Sequence, residues 1–125
     1  NGKNVFPEEI EQELNVLPYK EEAIIVGIPN AEDERDLVVT LKLVYNPEEF
    51  EGKTPEEINA IVKADVEKIN DKLPPYKRIK RVYTTDEPME KTSTQKVKRF
   101  VETQKIIDEE KAEKLRREEA KSEEA

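Results

Sequence analysis

The stretch from Thr54 to Leu73 constrains the fold more than any other part of this chain. Thr54 is suited to cap a helix, Pro55 to take its first position, and Glu57, three residues after the cap, to complete a capping box. Behind them Ile58, Ile61, Val62, Val66, Ile69 and Leu73 recur at helical spacing, while Glu56, Glu57, Lys63, Glu67, Lys68 and Lys72 fall outside that stripe. A helix with one continuous apolar face has to bury it, and Pro74-Pro75 stops it.

The surface that this helix needs is written on both sides of it. Ala23-Ile24-Ile25-Val26-Gly27-Ile28 is a short β-branched run closed by Pro29-Asn30, which predicts a buried strand. From Leu37 to Tyr45, Val39, Leu41, Leu43 and Tyr45 alternate with Val38, Thr40, Lys42 and Val44, the period of a second strand. The polar loop from Asn30 to Asp36 is compatible with an antiparallel connection. A third strand is expected from Ile79 to Thr85, with Val82 and Tyr83 packing. Before the first strand, Pro7-Glu8-Glu9-Ile10-Glu11 reads as a helix start, with Ile10, Leu14 and Leu17 on one face and Pro18 at the end. The expected fold is therefore α/β (α+β), a small mixed or antiparallel sheet of about three strands with helices packed on it.

A last helix is expected from Val97, with Val97, Phe100, Val101 and Ile107 as a short apolar face. Beyond Asp108 that face is nearly lost, leaving Glu, Lys, Arg and Ala with pairs such as Glu110/Lys114 and Glu113/Arg117 at i,i+4 spacing. The expected division is residues 1–100 as the folded domain and 101–125 as a charged helical or disordered tail.

With 125 residues, 34% apolar and 42% charged, two large domains are excluded. No Cys and no His are present, which removes disulfides, Cys/His metal sites and imidazole catalysis, so a catalyst here is Lys, a carboxylate or a hydroxyl. Asp86, Glu87 and Glu90 share no obvious helical face and lie beside a basic run, so no metal site is expected. No apolar stretch is long enough to span a membrane. The chain starts Asn1-Gly2-Lys3-Asn4, without Met and without the character of a signal peptide, and is expected to be a piece of a longer, cytoplasmic protein.

The net charge of −8 is unevenly spread. Residues 1–71 carry 7 basic and 18 acidic side chains (net −11), residues 72–99 carry 9 and 3 (+6), and residues 100–125 carry 6 and 9 (−3). The acidic first part argues against nucleic acid as the partner of the basic stretch. Lys91-Thr92-Ser93-Thr94-Gln95-Lys96-Val97-Lys98-Arg99 closes that stretch, between the third strand and the last helix. Ammonium groups with interleaved hydroxyls suit a phosphate or a carboxylate, although a run of this kind taken alone also describes a solvated helix entry.

Three segments in order narrow the choice. Gly2-Lys3-Asn4-Val5-Phe6-Pro7-Glu8-Glu9-Ile10-Glu11, then Leu73-Pro74-Pro75-Tyr76-Lys77-Arg78-Ile79, then the run from Lys91 to Arg99 resemble the C-terminal domain of adenylate-forming, AMP-binding enzymes, most of all the long-chain fatty acyl-CoA synthetases. The likeness covers residues 1 to about 100. It implies the mobile lid domain of an AMP-forming ligase, which turns ATP and a fatty acid into an acyl-adenylate and then passes the acyl group to coenzyme A. The implied partner is the N-terminal adenylation domain of the same polypeptide, which would hold ATP, its magnesium and the acyl chain.

By position in the motif the adenylation lysine is Lys96, and Gly2 is the loop glycine turned to the pantetheine channel in the second step. Many members carry Gly directly before this lysine, where this chain has Gln95, a feature of the long-chain subgroup. The fragment by itself is expected to be inactive and to bind no cofactor. Two other readings of the chain are an interaction module that docks through its charged terminal helix, and a lid that loads a carrier protein rather than coenzyme A.

Overall fold

The capping box at Thr54 is formed. In a computed structural model that describes residues 7–30 and 32–124, helix α2 runs Pro55–Asn70, the Thr54 hydroxyl accepts the Glu57 N–H at 3.2 Å and the Glu57 carboxylate accepts the Thr54 N–H at 2.9 Å. The Thr54 N–H first, and then the Thr54 side chain, favour the ionised Glu57 carboxylate and hold it below its usual range. At the other end of α2, Arg78 donates through Nε to the carbonyls of Asn70 and Leu73, each at 3.1 Å, satisfying acceptors that a helix C-terminus leaves open.

The order of elements is α1 (Pro7–Glu13), β1 (Lys20–Pro29), β2 (Leu37–Tyr45), α2, β3 (Arg81–Thr85) and α3 (Arg99–Glu124), with short 3-10 turns at Leu14–Val16, Pro47–Phe50 and Pro75–Lys77. The sheet is mixed, in the order β1-β2-β3. β1 and β2 are antiparallel, with Ile25 opposite Leu41 and Ala23 opposite Leu43; β3 lies parallel to β2, with Val82 opposite Leu41. The parallel pairing follows from the connection, because a chain that crosses over through a helix returns in the same direction.

The chain divides into two compact units, one up to Met89 and one from Glu90. In the first, Ile58, Val62, Val66 and Ile69 of α2 pack with Ile10 and Leu14, with Ile25 of β1 and with Leu41, Leu43 and Tyr45 of β2. The rings of Tyr19, Phe50 and Tyr45 close one end of this core, with centroids 4.9 Å apart for Tyr19/Phe50 and 5.5 Å for Tyr45/Phe50. The Tyr19 hydroxyl donates to Asp65 at 2.7 Å, and burial together with that carboxylate raises its pKa well above the ordinary tyrosine range.

Polar side chains fix the rest of this unit. The Asn70 amide donates to the Ile79 carbonyl at 2.9 Å and accepts the Ile79 N–H at 2.8 Å, standing in for a neighbouring strand. This is why β3 starts at Arg81 and not at Ile79, which is buried but outside the ladder. Glu11 accepts the Ile25 N–H at 2.8 Å, so a residue expected only to start a helix also covers part of the open edge of β1.

The second unit contains α3, 26 residues long and helical to Glu124. The expected apolar face is only partly right. Phe100 is 79% exposed, whereas Ile106 and Glu102 are the buried residues of the helix. From Lys111 to Glu123 every side chain is exposed, and Glu113 is paired with Arg116 at 2.7 Å and Arg117 at 3.6 Å. Among the described residues, no helix is long and apolar enough to cross a membrane.

Candidate functional site

The site is a small hairpin at the start of the second unit. Lys91 and Val97 form an antiparallel bridge, and between them Thr92 anchors the turn three times. Its N–H donates to the Lys96 carbonyl at 2.8 Å, its carbonyl accepts the Gln95 N–H at 2.9 Å, and its hydroxyl accepts the Lys96 N–H at 3.2 Å. The Thr92 and Thr94 hydroxyls lie 3.0 Å apart. A turn closed from Thr92 to Gln95 and followed by a residue in the left-handed region is the pattern of a three-residue hairpin loop with a bulge, and Gln95 has φ 66°.

That angle gives the physical meaning of the missing glycine. The bulge position requires a positive φ, which glycine adopts freely and a residue with a Cβ adopts at a cost of about 1 kcal/mol or more. Gln95 is the one residue other than glycine with a positive φ among the described residues, and it directly precedes Lys96. The hairpin keeps its shape without the glycine because Thr92 and the Lys91–Val97 bridge determine it from both sides.

Lys96 is therefore held by its backbone and open at its tip. Its side chain is exposed, and its ammonium makes no hydrogen bond or ion pair among the described residues. Lys98 is exposed as well, while Lys91 and Arg99 are half-buried and engaged. A compact positive charge on a flexible stem, fixed at its root and free of an internal partner, suits an anion that arrives from outside.

The foot of the hairpin is tied to α3. The Glu90 carbonyl accepts the Lys98 N–H and the Glu90 N–H donates to Glu102 Oε2, both at 2.9 Å. Lys105 reaches Glu90 at 2.8 Å and Glu102 at 3.3 Å, and these carboxylates raise its pKa. Glu90 is thus an ion-pair partner of Lys105.

The other segments singled out in the sequence are placed in the first unit. Lys77 pairs with Glu9 of α1 at 3.0 Å, joining the segment after α2 to the helix at the start of the chain. Tyr76 is 39% exposed, with the Lys77 ammonium 5.8 Å from its ring centre. Gly2 lies outside the described residues. The anchoring role of Thr92 and the place of Glu102 carry no periodicity signal in the sequence; a carboxylate in the first turn with Lys three residues on is the only hint at Glu102.

Along the chain, a small mixed sheet covered by a capped helix is followed by a lysine-bearing hairpin and a long helix. The chain belongs to the family of AMP-binding enzyme C-terminal domains, which it matches over residues 1–112. Among solved structures it is similar to MatB from Rhodopseudomonas palustris, with 27% identity and a TM-score of 0.63 over 83% of this chain and 18% of that one. It is similar also to a benzoate CoA ligase from Burkholderia xenovorans, with 26% identity and a TM-score of 0.60 over 79% of this chain and 18% of that one. A Mycobacterium tuberculosis fatty acyl CoA synthetase shares the fold at 23% identity and a TM-score of 0.60, over 83% of this chain and 18% of that one. The chain thus spans about a fifth of the length of these structures. No curated protein matches it in sequence.

Proposed function

We propose that this chain is the mobile C-terminal domain of a cytoplasmic AMP-forming acyl-CoA synthetase and that Lys96 is its adenylation lysine. The domain proper is residues 1–100, with 101–125 as a charged helical extension. The observation that carries the reading is the Lys96 hairpin: a backbone fixed by Thr92 and the Lys91–Val97 bridge, ending in an exposed ammonium with no partner among the described residues.

The chemistry fits that group. A carboxylate oxygen attacks the α-phosphorus of ATP, the bond to the pyrophosphate oxygen breaks, and negative charge builds on the oxygens around phosphorus. An ammonium placed there stabilises the transition state more than the ground state, and loss of such a group costs about 10²–10³ in rate. In the second step the sulfur of coenzyme A attacks the acyl carbonyl and AMP leaves. That step does not need Lys96, so the domain can turn and present another surface, with Gly2 beside the pantetheine arm.

The partner is an N-terminal adenylation domain of the same polypeptide, which binds ATP with its magnesium and the acyl group. We assign a long-chain fatty acid as the substrate on the order of the three segments and on Gln95 in place of glycine. The test is pyrophosphate release and thioester formation by the full enzyme, with and without residues 1–125, over carboxylic acids from benzoate to palmitate. The proposal expects both products to vanish on deletion and the intact enzyme to prefer the long chains. Undiminished turnover after deletion would overturn the lid role, and preference for an aromatic acid would overturn the substrate.

A further inference from the structure

The buried carboxylate of Glu102 has no part in the chemistry above. It stands in the first turn of α3 with no exposed surface, and its Oε2 accepts the Glu90 N–H at 2.9 Å and the Lys105 ammonium at 3.3 Å. The positive end of α3 adds a further favourable interaction. A charge in such a place is costly unless it is paired and hydrogen-bonded, and an apolar side chain of the same size would pack there without that requirement.

What the carboxylate holds is the root of the Lys96 hairpin. Glu90 N–H goes to Glu102, Glu90 C=O takes the N–H of Lys98, and the Glu90 carboxylate takes the Lys105 ammonium at 2.8 Å. Glu90 precedes the Lys91–Val97 bridge on one leg and Lys98 follows it on the other. Both legs are thereby fastened, through one residue, to a side chain on α3. An ordinary helix cap would bond only to the N–H groups of its own first turn; Glu102 reaches back twelve residues to the opposite leg.

We infer that Glu102 is a positioning residue for Lys96, its carboxylate setting where the hairpin stands on α3, with Lys105 as the clamp that keeps Glu102 and Glu90 together. The kinetic half of this inference rests on the adenylation reading, whereas the structural half does not. Displacement of a reacting group by about an ångström can cost about 10² in rate, so a loosened root lowers the first half-reaction without altering the residue that performs it.

The experiment has a structural and a kinetic arm. In the 125-residue chain, amide exchange followed by NMR is compared for wild type, Glu102→Leu, Glu102→Gln and Lys105→Met. In Glu102→Leu the amides of Glu90, Thr92, Lys96 and Lys98 should exchange at least about tenfold faster, with Leu41 and Leu43 of β2 unchanged. Glu102→Gln retains an acceptor for Glu90 and should stay nearer to wild type. Lys105→Met changes a side chain that is nearly half exposed, so it keeps the test open if the Leu variant does not fold; its hairpin amides should exchange a few-fold faster.

In the full enzyme, Glu102→Leu should lower kcat for pyrophosphate release about tenfold or more with KM for ATP within about twofold, leave acyl transfer from supplied acyl-adenylate intact, and be largely rescued by Gln. Hairpin amides at wild-type rates in Glu102→Leu and Lys105→Met overturn the inference, whatever the enzyme does. Loosened amides with undiminished adenylation also overturn it in an enzyme that Lys96→Ala inactivates. If Lys96→Ala has no effect, the adenylation reading has failed and the kinetic half falls with it, while the exchange rates still decide whether Glu102 holds the hairpin.

Discussion

The two units of this chain are ordered by different means. Up to Met89 the structure is held by apolar faces that meet, α2 on a sheet, with polar groups such as Asn70 and Glu11 filling gaps in the backbone hydrogen bonding. From Glu90 onward Ile106 is a buried apolar residue, while the hairpin is shaped by Thr92, by a backbone bridge and by one buried carboxylate. Non-directional burial tolerates small errors in geometry, whereas hydrogen bonds specify distances and angles. A reactive group that has to be placed to within a fraction of an ångström is better carried by the second kind of structure.

The largest expected effect lies in the first unit. Leu41→Ala removes a side chain with no exposure from the centre of the sheet and should cost about 2–5 kcal/mol in urea unfolding. A cost below about 1 kcal/mol would mean that the core does not carry this unit.

Next in size is Asn70→Ala, which strips Ile79 of two hydrogen bonds and leaves a buried backbone group unpaired. A loss of about 1–3 kcal/mol is expected by the same measurement. Tyr19→Phe sharpens the point through pH. The folded pKa of Tyr19 is raised above its unfolded value of about 10, so its contribution is fully present below that value and is lost as pH rises from there towards the folded value. Phe at this position should flatten the alkaline decline in stability. An unchanged decline would place the titrating group elsewhere.

The smallest expected effect lies in the hairpin, where two contributions oppose each other. Gln95→Gly relieves a strained φ but makes the unfolded chain more flexible, each worth about 1 kcal/mol, so net stability should move by less than about 1 kcal/mol. Gln95→Val, with a β-branched side chain at φ 66°, should destabilise the hairpin clearly, read as faster amide exchange at Lys96. Equal behaviour of Gly and Val would show that the positive φ is not what glycine serves at this position.

Much of this was legible in the sequence. The bounds of β2, Leu37–Tyr45, and the Thr54 capping box agree with the alternation and spacing that predicted them. The expected helix end at Leu73 overran by three residues, and the expected strand start at Ile79 came two residues early; both differences lie where Asn70 and Arg78 satisfy the backbone with side chains. β1 starts at Lys20 rather than Ala23, because its polar first residues pair with Val44 and Tyr45 across an irregular register that no periodicity marks. Lys96 was singled out through the order of three segments. Its supports were not, since a threonine that bonds three times and a glutamate buried among charged neighbours look like any others in a string of letters.

On the proposed reading Lys96 serves the first half-reaction and not the second. The direct measurement is a pair of assays on the full enzyme carrying Lys96→Ala: pyrophosphate release from ATP and a fatty acid, and thioester formation from supplied acyl-adenylate and coenzyme A. This role predicts a fall of about 10²–10³ in the first with the second preserved. Equal loss in both, or no loss in the first, would contradict it.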